Sequence, residues 1–281
     1  MCDILSATCG GYPLRYRPGA GVPLLIVHWK ASDQSDRWIG GARSYQGRPV
    51  AALGTEDMGS FNAPKTQVVQ DLLDAAGWRD TARIEIIGYS AGGFLALLLG
   101  ALMSLALPAT TITVVACSPP VSLWPMPNGP RNPLHARTIK AALAVPGRQQ
   151  NLEHFGDARP WIAKAWGTQG DRFSARLLYA ERDTWDAGQA QLLNGAPGVK
   201  LIPMPTAAHG FFRLVKLRNE REVEIEEIRK RLQAGAGMDE AEARREATAL
   251  RDAFSAAVAA EPDVLGILVP KRRQPTPAAA A

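Results

Sequence analysis

Residues 84 to 99 read Ile-Glu-Ile-Ile-Gly-Tyr-Ser-Ala-Gly-Gly-Phe-Leu-Ala-Leu-Leu-Leu, a run that predicts a strand, a sharp turn and a helix in succession. An apolar, β-branched run stops at Gly88, Ser90 follows, and a Leu- and Ala-rich helical pattern then begins. This is Gly-x-Ser-x-Gly between a strand and a helix, the context that a nucleophile elbow requires. The sharp turn brings backbone close to both sides of the serine, so glycine is needed at positions 88 and 92. We interpret Ser90 as a nucleophile; the alternative is a glycine-rich turn with an idle serine.

The composition predicts one sizeable globular domain. The chain has 281 residues, of which 46% are hydrophobic and 21% charged. An α/β fold of about 200–250 residues commonly forms a single core. The formal net charge is +5, but no basic stripe interleaved with aromatic residues is present, so we expect no nucleic-acid partner.

Cysteine usage and apolar runs exclude several other classes of protein. The three cysteines are too few and too scattered for a disulfide framework or a Cys-x-x-Cys metal site, and we expect neither a metal nor a cofactor. No apolar run is long enough to span a bilayer, and the N-terminus lacks the pattern of a secretory signal. The expectation is a cytoplasmic protein without a membrane span.

Strand and helix patterns alternate through the first two thirds of the chain. Apolar runs predict strands at Pro23–His28, Pro49–Leu53, Arg83–Ile87, Thr111–Cys117, Ala175–Ala180 and Val199–Pro203, with a weaker edge strand at 12–17. Helical periodicity between several of these runs predicts right-handed βαβ units. The fold class is therefore α/β, with a mostly parallel sheet between helical layers.

Residues 119–172 interrupt this alternation. They are rich in Pro, Trp, Asn and Gly, and an excursion of this length inside a compact domain is usually a lid or a set of small helices. Trp124, Trp161 and Trp166 lie in it. We interpret these tryptophans either as an apolar or sugar-stacking pocket or as the core of the insertion itself.

The C-terminal part is helical and increasingly charged. We divide the chain into a main domain at 1–218, a helical extension at 219–268 and a disordered, Pro- and Ala-rich tail at 269–281. One apolar stripe runs through the extension at Ala243, Ala247, Leu250, Phe254 and Val258. We expect this stripe to cover a surface of the protein, and the C-terminal helices are candidates for contact with a protein partner or for self-association.

Polar residues at strand ends supply the partners that Ser90 needs. A serine hydroxyl requires a base within hydrogen-bond reach, and the base requires an orienting carboxylate. Parallel sheets place reactive groups at the carboxyl ends of their strands. By this rule we expect His209 to be the base. Asp183 is the preferred acid and Asp186 the runner-up, because Asp186 has an obvious alternative role as a helix N-cap.

Backbone donors complete the predicted site. The oxyanion hole should use the N–H of Ala91, which follows the nucleophile, and a second N–H from the loop after residues 24–28. That second donor would be Trp29 or Lys30.

Taken together, these motifs resemble the α/β-hydrolase fold over about residues 10–217. The resemblance rests on the strand ending in His28, on Gly88-Tyr-Ser-Ala-Gly-Gly93, on the Tyr-Ala-Glu-Arg-Asp turn and on Ala208-His209-Gly210. It implies an eight-stranded, mostly parallel sheet in a three-layer α/β/α sandwich, with residues 119–172 as a cap over the pocket. Two departures are Trp29, where a glycine usually follows the histidine, and the residues beyond the expected final helix.

The function expected from the sequence is hydrolysis of a small-molecule carboxylic ester through an acyl-enzyme on Ser90. Acyl transfer or thioester cleavage by the same three residues is an alternative. A non-catalytic binding or assembly protein with a hydrolase-like fold is another, and the C-terminal extension favours it. The substrate does not follow from the motifs, because this fold hosts many chemistries.

Overall fold

One sheet organises the molecule, for which a computed structural model describes residues 4–28, 47–54, 61–125, 133–217 and 219–269. Its strands are β1 (Leu5–Cys9), β2 (Tyr12–Arg17), β3 (Leu24–His28), β4 (Val50–Gly54), β5 (Arg83–Tyr89), β6 (Thr111–Cys117), β7 (Phe173–Ala180) and β8 (Val199–Met204). The eight strands lie in the order β1-β2-β4-β3-β5-β6-β7-β8. The pairs β1–β2 and β2–β4 are antiparallel, and the other neighbours are parallel. The predicted mostly parallel sheet is confirmed.

Helices flank this sheet. Those of the described residues are α1 (Lys65–Ala76), α2 (Ala91–Ala106), α3 (Pro133–Leu143), α4 (Pro146–Phe155), α5 (Arg159–Gln169), α6 (Thr184–Gln191), α7 (Arg221–Ala236), α8 (Glu240–Ala260) and α9 (Pro262–Leu265). Short 3-10 turns lie at Gly170–Arg172, Phe211–Arg213 and Gly266–Leu268.

The central strands are buried on both faces because their sequences are apolar without interruption. Every residue of β3 is buried. Alternate side chains point to opposite faces, so Leu25 and Val27 join one hydrophobic cluster while Leu24 and Ile26 join the other. The sheet therefore needs a helical layer on each side.

Helix α2 forms the centre of the first layer. It is apolar around nearly its whole circumference, as expected for a helix inside a core, and its first fourteen residues are buried. Gly100 lets the helix approach the sheet closely, since a Cβ there would lie 2.3 Å from Val114 Cγ2. This packing fixes the direction in which α2 leaves the turn at Ser90.

The C-terminal helices α7 and α8 supply the second layer. Ala243, Ala247, Leu250 and Phe254 are buried in one cluster with sheet residues that include Ile26, Ile87 and Val115. The apolar stripe is thus covered by the chain's own sheet. A protein partner or self-association through these helices stays a prediction. Residues 270–281 of the predicted disordered tail lie outside the described residues.

The insertion after β6 also contributes to the core. Ile162 and Ala165 of α5 are buried in the cluster that contains α2. The ring of Trp161 stacks on that of Phe155 at 5.4 Å. These contacts favour the packing role of this tryptophan. The role of the insertion as a cap stays a prediction, and residues 126–132 lie outside the described residues.

Among the described residues, no helix combines the length and the apolar character needed to cross a bilayer.

The second helical layer can be tested by its effect on stability. Phe254→Ala should lower the free energy of unfolding by about 3–5 kcal/mol, because it opens a cavity between α8 and the sheet. The control is Val223→Ala on α7, where the side chain is 49% exposed; a change within about 0.5 kcal/mol is expected. Chemical denaturation measures both, and equal small effects would contradict a shared core.

Candidate active site

Ser90 lies at the turn between β5 and α2 in a conformation that non-glycine residues rarely adopt. Its φ is 50° and its ψ −123°, and its N–H donates to the Cys117 carbonyl of the neighbouring strand at 2.8 Å. A Cβ on Gly88 would lie 2.3 Å from the Gly92 carbonyl oxygen, and one on Gly92 would lie 2.4 Å from the Val27 oxygen. The predicted need for glycine at both positions is met in atomic detail.

The histidine predicted as base lies beside this serine. His209 follows β8, and its Nε2 is 2.8 Å from Ser90 Oγ. The two residues are 119 positions apart in the chain, and the parallel order of β5, β6, β7 and β8 brings the ends of their strands to one edge of the sheet. The His209 side chain is 40% exposed, so solvent reaches the imidazole.

Asp186, and not Asp183, is the carboxylate that contacts the histidine. Asp186 Oδ1 lies 2.7 Å from His209 Nδ1, and the Asp186 side chain is 1% exposed. A carboxylate accepts hydrogen bonds, so Nδ1 carries the proton and Nε2 is left to accept from the Ser90 hydroxyl. The preference for Asp183 is corrected by this geometry.

Asp183 instead caps helix α6. Its backbone is extended, with φ −84° and ψ 114°, and its carboxylate accepts from the N–H groups of Trp185 and Asp186. The two distances are 2.9 and 3.0 Å. The sequence predicted Asp186 as the cap, which places the start of the helix three residues too late. With α6 beginning at Thr184, Asp186 lies within the first turn and its side chain is free to reach the histidine.

Opposing forces set the protonation of His209. Burial is the largest influence and lowers its pKa, but the hydrogen bond and charge of Asp186, together with the charge of Asp183, outweigh it. Arg213 acts in the lowering direction. The net effect raises the pKa of His209 above the ordinary value of 6.5. The imidazole is therefore a stronger base than a free histidine.

The predicted oxyanion hole is only partly covered by the described residues. Ala91 is the first residue of α2, and the first N–H groups of a helix have no acceptor within the helix. Trp29 and Lys30 lie outside the described residues. His28, which precedes them in the chain, lies beside the elbow, because a Cβ on Gly92 would lie 3.2 Å from the Cα of His28.

Two further contacts around the site were missed by sequence reasoning. The rings of Tyr89 and Phe212 stack with centroids 4.8 Å apart, which ties the strand before the nucleophile to the turn after His209. Gln189, one helical turn after Asp186, accepts from the N–H groups of Val121 and Ser122 at 2.6 and 3.0 Å. Tyr89 directly before Ser90 and Phe212 shortly after His209 were visible signals for the first contact. Nothing in the sequence pointed to the second.

In the described part of the chain, no group of three or more His, Cys, Asp or Glu side chains is arranged to hold a metal ion.

Several solved protein structures resemble this chain, whereas no protein-family model and no curated protein sequence matches it. Carboxyl esterase 2 from the mycorrhizal fungus Tuber melanosporum is 19% identical, with a TM-score of 0.52 over 89% of this chain and 87% of the esterase. Est816, an N-acyl homoserine lactone degrading enzyme, is 17% identical, with a TM-score of 0.47 over 74% and 94%. A hydrolase from Pseudomonas aeruginosa PA01 is 18% identical, with a TM-score of 0.45 over 75% and 93%.

Of these three, the fungal esterase has a TM-score above 0.5. At 19% identity its likeness shows a shared fold alone.

The electrostatic arrangement can be tested by titrating His209. Asp186→Asn should lower the pKa of His209, since it removes the charge and weakens the hydrogen bond that raise it. Asp183→Asn should lower this pKa less, because it removes charge alone and asparagine also caps helices. Arg213→Gln should raise it. NMR titration of the ring protons measures all three, and a larger drop for Asp183→Asn would contradict the assigned geometry.

Proposed function

The chain has the α/β-hydrolase fold, and from the hydrogen-bonded Ser90, His209 and Asp186 we propose a serine hydrolase that cleaves a carboxylic ester. One observation carries the proposal. The distances of 2.8 Å from Ser90 Oγ to His209 Nε2 and 2.7 Å from His209 Nδ1 to Asp186 form an unbroken chain of donors and acceptors. Nucleophile, base and orienting carboxylate are the three groups that acyl-enzyme chemistry needs.

In the first half of the reaction, Ser90 Oγ attacks the ester carbonyl carbon while His209 Nε2 takes the hydroxyl proton. The carbonyl oxygen becomes an oxyanion that accepts from the Ala91 N–H, a contact worth about 3 kcal/mol in comparable sites. Asp186 holds the imidazole and stabilises its cation. Collapse of the intermediate breaks the bond to the alcohol oxygen, which leaves with the proton from His209.

Water completes the reaction. His209, again neutral, removes a proton from a water molecule that attacks the acyl carbon. The second oxyanion collapses, the bond to Ser90 Oγ breaks, and the serine recovers its proton from His209. If an alcohol or thiol replaces water at this stage, the same residues perform acyl transfer. The non-catalytic alternative predicts a folded protein that a serine-directed probe never labels.

Covalent labelling tests the nucleophile. A fluorophosphonate probe should react with Ser90 in the wild-type protein, and Ser90→Ala and His209→Ala should abolish labelling. Ser255→Ala, a half-buried serine on α8, is the matched control and should label like the wild type. Turnover of a chromogenic short-chain ester should follow the same pattern. A folded wild-type protein that the probe never labels would refute the proposal.

The identity of the acid is tested by rate. Asp186→Asn should reduce labelling by about 10³- to 10⁴-fold, as loss of the orienting carboxylate does in comparable triads. Asp183→Asn should reduce it by less than about 10-fold, because its carboxylate caps a helix. The reverse ranking of these two variants would restore Asp183 as the acid.

The pH dependence of labelling tests the base. Labelling of the wild type should fall as the pH drops through the raised pKa of His209, since the base must be neutral. In Asp186→Asn this decline should move to lower pH.

A further inference from the structure

The segment that carries His209 needs external support. Residues 205–217 follow β8 on the way to α7 and contain one 3-10 turn, Phe211–Arg213. A side chain on such a segment is held accurately when its neighbours are anchored to rigid elements. Here the anchors come from α7 and α8, the helices beyond the expected end of the fold.

Glu246 of α8 holds the beginning of this segment. Its side chain is buried, and its Oε1 accepts from the Thr206 hydroxyl at 2.5 Å and from the Ala207 N–H at 3.3 Å. Thr206 Oγ1 in turn accepts from the Ala208 N–H at 3.0 Å. Two hydrogen bonds therefore lead from the Glu246 carboxylate to the residue that precedes His209.

The second oxygen of Glu246 reaches the loop of the acid. Arg182 lies 3.0 Å from Glu246 Oε2 through its guanidinium and donates to the Pro205 carbonyl at 2.5 Å. Its own N–H donates to the Thr206 carbonyl at 3.1 Å. Because Arg182 directly precedes Asp183, the cap of the helix that bears Asp186, one carboxylate contacts the loops of both the base and the acid.

Glu224 of α7 holds the other end of the segment. Its buried Oε1 accepts from the N–H groups of Lys216 and Leu217, each at 2.6 Å. Leu217 has a φ of 48°, which is rarely adopted by leucine. The carboxylate thus fixes the chain where it turns into the C-terminal helices.

We propose that Glu246 is a positioning residue for His209 and that the C-terminal helices are part of the machinery that aligns the base. This inference rests on the proposed function for its catalytic meaning. A charged carboxylate suits the place, since one oxygen faces two donors and the other faces a guanidinium. Glutamine has a single acceptor oxygen, so one of those two sides must then meet an NH₂ group.

Variants of one helix provide the test. Glu246→Gln and Glu246→Ala should slow fluorophosphonate labelling of Ser90 on the order of 10- to 100-fold, as small misplacements of catalytic groups do. Both should also shift or broaden the downfield proton signal of the His209 ring bonded to Asp186. The control is Glu261→Gln. Glu261 ends the same helix and pairs with Arg176 and Lys200 at 2.5 and 2.6 Å, away from the carboxyl edge of the sheet. Labelling and signal should stay at wild-type values in this control.

If the Glu246 variants do not fold, a second pair of variants at Thr206 tests the same hydrogen bonds. Thr206→Val removes the hydroxyl at nearly constant volume and should slow labelling and alter the His209 signal. Thr206→Ser keeps the hydroxyl and should restore both.

The outcomes separate the two proposals. Wild-type labelling rates and an unchanged His209 signal in Glu246→Gln and Thr206→Val would overturn the positioning role while leaving Ser90 as nucleophile. If the wild-type protein is not labelled at all, the proposed function fails. The His209 signal then decides the positioning role alone: a change in Glu246→Gln but not in Glu261→Gln supports it, and no change refutes it.

Discussion

Close backbone contacts around Ser90 constrain how strands β3 and β5 pack against helix α2. The Gly92 Cα packs so near the Val27 carbonyl that no side chain fits between β3 and α2. Ser90 is held at a positive φ, a conformation that costs about 1–3 kcal/mol. The cost is offset by the buried helix α2, which packs against β5 and β6 and leaves the turn no room to relax. Ser90 thereby lies at the carboxyl edge of the sheet, beside the start of helix α2.

The raised pKa of His209 results from a balance between burial and charge. Burial alone would weaken His209 as a base, while the Asp186 carboxylate at 2.7 Å strengthens it and selects the tautomer that faces Ser90. The charge of Asp183 also raises the pKa of His209, while its carboxylate caps helix α6. Asp183 thus caps helix α6, and Asp186 extends from the first turn of that helix to the imidazole.

The C-terminal helices serve the molecule in two ways. Through Leu250 and Phe254 they cover the second face of the sheet, which would otherwise expose the apolar side chains of its central strands. Through Glu224 and Glu246 they accept hydrogen bonds from both ends of the segment around His209. What resembles an extension in the sequence is thus a layer of the fold.

The position of His209 beyond a strand end was visible in the sequence, while its catalytic role is a proposal. Local patterns were also enough to predict the central parallel strands, from continuous apolar runs, and the glycine turn around Ser90. The strand at residues 5–9 escaped prediction, since an exposed edge strand lacks such a run. The tertiary structure was needed to show that Asp186, and not Asp183, contacts the His209 imidazole, because a shift of three residues at the start of one helix separates the cap from the contacting carboxylate. It alone decided what the stripe of α8 contacts. Amphipathic periodicity shows that a helix has a partner, and the partner is chosen by packing between residues far apart in the chain.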